Sequence, residues 1–155
     1  MEDRAEHYYK EGFDFFKNGH YSESLASCDK AIAIRPDYAD AWNGRGVALG
    51  ELGRHAEAVD SYDKGLALNP DDASAWFIRG AELGILGRPV EALESFDKSI
   101  AINPDDAYAW NFRGVALHEL GRYSEAVASY DKAIAINPDY SEVKLNRKMA
   151  LKKQP

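Results

Sequence analysis

A single cysteine, Cys28, stands in a chain of 155 residues. A lone thiol can build neither an intramolecular disulfide framework nor a zinc module that needs two or more thiolates. Every apolar run falls short of the ~20 residues that a membrane-spanning helix requires. The chain is nevertheless 45% hydrophobic, which is too much apolar residue for disorder. Positive charge is scarce: 19 Lys and Arg against 26 Asp and Glu give a net charge of −7, a balance that repels phosphate and argues against a nucleic-acid partner. The opening residues, Met1 to Glu6, carry neither the apolar stretch of a secretory signal nor an Arg-rich transit pattern, and no Asn-x-Ser/Thr sequon occurs. A cytoplasmic protein with no membrane partner is expected.

The usual carriers of chemistry are missing as well. Gly44-Arg45-Gly46 begins like a dinucleotide loop, but it follows no strand pattern and its third glycine is misplaced. His118-Glu119 begins a His-Glu-x-x-His pattern, but Arg122 occupies the position of the second ligand. His7, His20 and His55 form no i, i+4 pair that could grip a metal. Cys28, a lone free thiol, reads as a small hydrophobe. Most carboxylates recur at one fixed interval, as a solvated face does, and no convergent acid pair emerges. The expectation is no enzyme, no metal and no cofactor.

That interval is the dominant feature of the chain. Pro36, Pro70, Pro104 and Pro138 are evenly spaced, and the same period separates Gly19, Gly53, Gly87 and Gly121, and Gly12, Gly46, Gly80 and Gly114. Asp29-Lys30, Asp63-Lys64, Asp97-Lys98 and Asp131-Lys132 share it. Units at 5–38, 39–72, 73–106 and 107–140 fill nearly the whole chain, read as one domain over 1–155, with a further helix at 141–153. In the second unit Ala41, Trp42, Val47, Ala48, Leu49 and Leu52 lie at helical spacing, and Ala58, Val59, Tyr62 and Leu66 repeat it. Each unit therefore reads as two helices. Gly53 supplies a left-handed stop after the first, and Asn69-Pro70-Asp71-Asp72 ends the second and provides Asp caps for the next. Pro89 falls in the first turn of a second helix, where its missing N–H costs little. The architecture expected is all-α, a right-handed solenoid of helix-turn-helix repeats in which each unit completes its core on its neighbours.

The run Trp42…Arg45-Gly46…Leu49…Leu52-Gly53…Ala58…Tyr62…Pro70, repeated from Trp76 to Pro104 and from Trp110 to Pro138, resembles the tetratricopeptide repeat. In the first unit Tyr8 stands for Trp, Ser24 for the small Ala and Cys28 for the aromatic, and elsewhere Gly65 and Ser99 replace a packing Ala. Residues 141–153 resemble a first helix without its partner, with Lys144 and Lys148 at the Trp and Gly positions, and read as a polar cap. Trp42, Trp76 and Trp110 are expected in the core.

One departure from the family pattern suggests a stacking device. Arg45, Arg79, Arg113 and Arg147 occupy a position that is more often apolar, and each follows its own Asp, at 29, 63, 97 or 131, by the same distance along the chain. The first unit, which has no preceding Asp, carries Glu11 instead. A ladder joining Asp29 to Arg45, Asp63 to Arg79, Asp97 to Arg113 and Asp131 to Arg147 is the expectation. Each exposed pair is worth ~0–1 kcal/mol, so the ladder is a matter of register more than stability.

The resemblance implies a concave groove, lined by first helices, that binds a protein or peptide ligand. Its positions map to Tyr9, Asn43, Phe77 and Asn111 in one row, with Phe13 and Val47 a turn later and Asp40, Ser74 and Tyr108 a turn earlier. The Lys/Arg/Asn clamp by which one branch of the family holds a terminal carboxylate is absent, because Tyr9, Phe13, Gly44, Ser74 and Ile78 occupy its places. The function expected is a non-enzymatic interaction scaffold. The alternative is a self-assembling structural module, a homo-oligomer in which the basic C-terminal helix docks against the acidic body of another copy. Residues 141–155 hold five cations against one anion, a net of +4, which leaves −11 for residues 1–140.

Overall fold

The computed structural model describes residues 3–155, and among these every regular element is helical. The order is α1 (Arg4–Lys17), α2 (Tyr21–Ile34), α3 (Ala39–Glu51), α4 (His55–Leu68), α5 (Ala73–Ile85), α6 (Pro89–Ile102), α7 (Ala107–Glu119), α8 (Tyr123–Ile136) and α9 (Ser141–Lys153). Four glycines follow the first helix of each repeat: Gly19, Gly53, Gly87 and Gly121 take φ of 76°, 73°, 69° and 72°. This left-handed backbone is open to glycine at no steric cost, which explains the fixed spacing of the four. Asp caps form where expected: Asp72 Oδ1 accepts from the Ala75 N–H at 3.0 Å, and Asp106 Oδ1 accepts from the Tyr108 N–H at 2.9 Å. Pro89 occupies the first turn of α6.

The chain divides into two compact units, one ending at Ala75 and the other running from Trp76 to Pro155. In the first, α1 pairs with α2 and α3 with α4, while α2 and α1 also pack on α3. Its core is made of small residues and a few large ones: Ala5, Cys28, Ala31, Ala41, Ala48, Leu49, Ala58 and Tyr62 are all buried. Gly46 shows why the repeat keeps a glycine there, since a Cβ would stand 2.8 Å from the Tyr62 ring. In the second unit α7 pairs with α8, α6 packs on α7, and α9 packs on α8 and α7. Leu83, Phe96, Leu117, Tyr130 and Val143 are buried there.

Two expectations need correction. The tryptophans are half-buried and do not lie in the core. An indole N–H needs an acceptor, and Trp42 Nε1 donates to the Pro36 carbonyl and Trp110 Nε1 to the Pro104 carbonyl, each at 2.8 Å. The rings thus tie down the proline turns, and the guanidinium groups of Arg45 and Arg113 lie 6.0 and 5.8 Å from the ring centroids. The cap helix is basic but not simply polar: α9 buries Val143 and Ala150 and leaves Leu145 59% and Met149 51% exposed.

Candidate peptide-binding surface

In the first unit the groove residues sit on α1 and α3. Tyr9 and Phe13 lie one turn apart on α1, and Asp40, Asn43 and Val47 lie at successive turns on α3. They line a hollow of about 310 Å³ together with Phe16, the buried Cys28 and Gly44. Phe13 is 53% exposed, so an apolar ring stands open to solvent at the mouth. Tyr9 rests against Tyr38, with ring centroids 5.3 Å apart. Burial, helped by the neighbouring charge of Asp40, raises the Tyr9 phenol above its ordinary pKa. The Cys28 thiol is pushed up to about 11, chiefly by burial. It is a protonated packing group and no nucleophile at neutral pH.

Asn43 is committed on one side only. Its Nδ2 donates to Asp72 Oδ2 at 3.1 Å, while Oδ1 is buried with no hydrogen-bond partner. Oδ1 is lodged against Gly65, where a Cβ would come within 2.0 Å of it. The departure of Gly65 from the family Ala therefore has a physical cause: it accommodates the Asn43 amide.

In the second unit Phe77 belongs to a cluster of three rings, with centroids 5.9 Å from Phe96 and 5.3 Å from Phe112, the last two being 6.0 Å apart. Tyr108 is 60% exposed and lies edge-on to Tyr140. Asn111 departs from expectation, being only 1% exposed. Its Nδ2 donates to the Tyr140 hydroxyl at 3.4 Å, and its Oδ1 accepts from Asn146 Nδ2 at 3.2 Å. The incoming α9 uses the amide that sequence position assigned to a ligand.

The Arg positions are more elaborate than pairs. Arg45 Nε donates to Asp29 Oδ1 at 2.7 Å and its Nη1 to Ser61 Oγ at 2.7 Å. Arg113 repeats the arrangement with Asp97 at 2.6 Å and Ser129 at 2.7 Å, and Arg147 pairs with Asp131. Arg79 donates to Ser95 at 2.6 Å. The guanidinium groups of Arg45 and Arg113 thus reach the helix before and the helix after their own. In the first repeat Glu11 Oε2 accepts from Ser27 Oγ at 2.9 Å, so the same serine turns its hydroxyl to a carboxylate. Sequence reasoning missed the serines, although Ser27, Ser61, Ser95 and Ser129 recur with the period of the prolines.

Among the described residues no group of three or more His, Cys, Asp or Glu is placed to hold a metal, and no helix is long and apolar enough to cross a membrane.

Paired helices with left-handed glycine stops, recurring at one constant period, define a helical-repeat protein. The tetratricopeptide repeat profile matches residues 9–73, 48–102 and 107–140, and the chain belongs to that family. A protein prenyltransferase alpha subunit repeat profile also matches residues 89–120. An uncharacterized protein of Methanocaldococcus jannaschii is 40% identical over 46 residues, which cover 30% of this chain and 54% of that protein. The chain thus spans about half the length of this relative. MamA from Desulfovibrio magneticus RS-1 has a similar structure at 23% identity, with a TM-score of 0.87 over 99% of this chain and 92% of that one. YrrB, described as a TPR protein with an unusual peptide-binding site, gives 0.85 at 22% identity over 92% and 74%. The first TPR of Spaghetti (RPAP3), solved with the HSP90 peptide SRMEEVD, gives 0.72 at 22% identity over 74% and 90%. The likeness establishes the fold class, an all-α solenoid of helix-turn-helix repeats.

Proposed function

We propose that this chain is a non-enzymatic, cytoplasmic scaffold that holds a peptide segment of a partner protein against α1 and α3. The observation that carries the reading is the hollow of about 310 Å³ on those helices, with exposed Phe13 at its mouth and Tyr9, Asn43 and Val47 around it. Peptide binding by YrrB and by the RPAP3 repeat supports it as the habit of similar folds. In the second unit, taken by itself, Phe77 and Tyr108 are proposed as peptide contacts, and the buried Asn111 is not.

The test is capture from an extract of the native source by immobilised wild type and by a Phe13→Ala, Asp40→Lys variant. Both sites are exposed, so the variant should keep its helical circular dichroism. Partner loss confined to the variant is the expected result, and equal recovery refutes the assignment.

A second reading rests on α9, whose exposed Leu145 and Met149 lie one helical turn apart beside Lys144 and Lys148. Such a stripe suits docking on an acidic surface of another copy, a head-to-tail contact that can propagate. Light scattering at low and high salt tests it: an electrostatic association should dissolve as salt rises, and a salt-independent monomer refutes it.

A further inference from the structure

The second unit contains an internal reference for the hollow of the first. Phe77, Phe96 and Phe112 stand two repeats after Tyr9, Cys28 and Gly44 respectively. In the second unit the three positions hold three mutually packed rings. In the first they hold one ring, a thiol and a hydrogen atom, and these three residues line the hollow. The Phe96 ring leaves so little room that a Cβ on Gly80 would be 2.7 Å from it, whereas a Cβ on Gly12 would stand 3.2 Å from the Cys28 sulfur. Two rings' worth of apolar volume is thus absent from a site where Phe13, Phe16 and Val47 supply the remaining apolar lining beside Tyr9. About 310 Å³ lies at the small end of ligand pockets, a size for one side chain.

The charge around the opening has one sign. Asp40 and Asp72 line the hollow and no basic residue does. Asp40 is exposed and has no ion-pair partner among the described residues. Lys17, whose Nζ lies 4.8 Å from the Phe13 ring centroid, is already paired with Asp14 at 2.8 Å.

We infer that this hollow is an anchor pocket for one aromatic side chain of a peptide whose neighbouring residues are Lys or Arg. The ring takes part of the space that Phe96 and Phe112 fill in the second unit, and the flanking cations meet Asp40 and Asp72. The inference rests on the peptide-binding reading above and narrows the ligand to a basic, aromatic-anchored segment. Anchors of this kind, desolvated in a fitted pocket, concentrate binding energy in few contacts.

The test uses three synthetic peptides: acetyl-Ser-Lys-Phe-Lys-Ser-amide, the same with Ala for Phe, and the same with Glu for both Lys. Each is titrated into the isotopically labelled full chain and followed by amide chemical shifts. The Phe peptide should give saturable shifts at Phe13, Cys28, Gly44 and Val47. The Ala peptide should bind at least tenfold more weakly. The Glu peptide should lose several-fold, and its deficit should shrink as salt is raised. Gly44→Phe, which restores the ring present at Phe112, should raise the thermal midpoint while abolishing the response. The peptide substitutions keep the outcome independent of whether that variant folds. Equal binding of the Phe and Ala peptides, or no saturable shift at these residues, overturns the anchor. If the Phe13→Ala, Asp40→Lys variant still loses its partner in extract, the groove reading stands without the anchor. If capture is also unchanged, both fall.

Discussion

Substituting Gly65 should reveal a coupling that its helix position alone does not. In a helix interior Gly→Ala ordinarily gains about 1 kcal/mol, because alanine loses less backbone entropy on folding. At position 65 the new methyl would stand 2.0 Å from Asn43 Oδ1 and 3.3 Å from the Ala39 carbonyl. A side-chain oxygen can move, but Asn43 is held by the bond from Nδ2 to Asp72 Oδ2 at 3.1 Å. Ejecting the amide breaks a hydrogen bond to a charged group, worth ~1.5–3 kcal/mol. Gly65→Ala should therefore destabilise the wild type by about 0.5–2 kcal/mol. In an Asn43→Ala background nothing is left to eject, and the same substitution should stabilise by up to about 1 kcal/mol. The coupling, ~1.5–3 kcal/mol, is of the size expected between touching residues. Urea unfolding of the four proteins measures it directly. If Gly65→Ala changes stability equally in both backgrounds, within ~0.5 kcal/mol, the reasoning is wrong.

Other perturbations separate the remaining contributions. Arg113→Ala takes the donor from the fully buried Ser129 and should cost ~1–3 kcal/mol. Asp97→Ala removes a carboxylate that is 51% exposed and should cost no more than ~1 kcal/mol, and equal losses in urea unfolding would contradict this asymmetry. Trp110→Phe keeps a ring but loses the bond to the Pro104 carbonyl, so a loss of ~0.5–1.5 kcal/mol is expected, with no effect on secondary structure by circular dichroism. The Cys28 thiol, raised from 9.0 to about 11 by burial, keeps its proton in the folded chain after the unfolded chain has lost it. Stability should fall between about pH 9 and 11 by ~2–3 kcal/mol from this group. Cys28→Ala should flatten that slope between about pH 9 and 10 relative to wild type, leaving the decline that Tyr130, raised from 10.0 to about 12, adds above about pH 10. A slope identical in both proteins would refute the assignment.

The fold was legible because its determinants are local and repeated. Glycine at 53 or 121 dictates a left-handed stop whatever surrounds it, and an Asp such as Asp106 caps the helix that follows it. The candidate site was legible only in part, because its decisive features are relations between distant residues. Cys28 and Gly44 were each visible as a small residue, but the hollow they line depends on α1, α2 and α3 meeting there. Asn111 looked equivalent to Asn43 by period, yet Tyr140 and Asn146 arrive from the end of the last full repeat and from beyond it, and bury it. The tryptophans misled because a periodic apolar residue suggests core, whereas an indole N–H needs an acceptor and finds one at a proline turn. The Arg positions were visible as pairs with Asp, and the second contact to serine was missed because serine in a helix offers little local signal.

The attachment of α9 has a mechanical consequence. The helix and the residue after it are fastened to α7 and α8 by a few separable contacts: Val143 and Ala150 in the core, the Asn111 amide, the Arg147–Asp131 pair, and the bond from Gln154 Nε2 to Ser124 Oγ at 3.1 Å. A force applied at Pro155 loads these contacts in order from Gln154 back toward Tyr140, peeling one helix before the α7–α8 hairpin bears tension. In an optical trap the first event should be a short, low-force, reversible extension of about 13 residues, the length of α9, preceding any larger rip. The molecule would then yield at this end like a flap with a spring return, exposing Asn111 only while the load lasts.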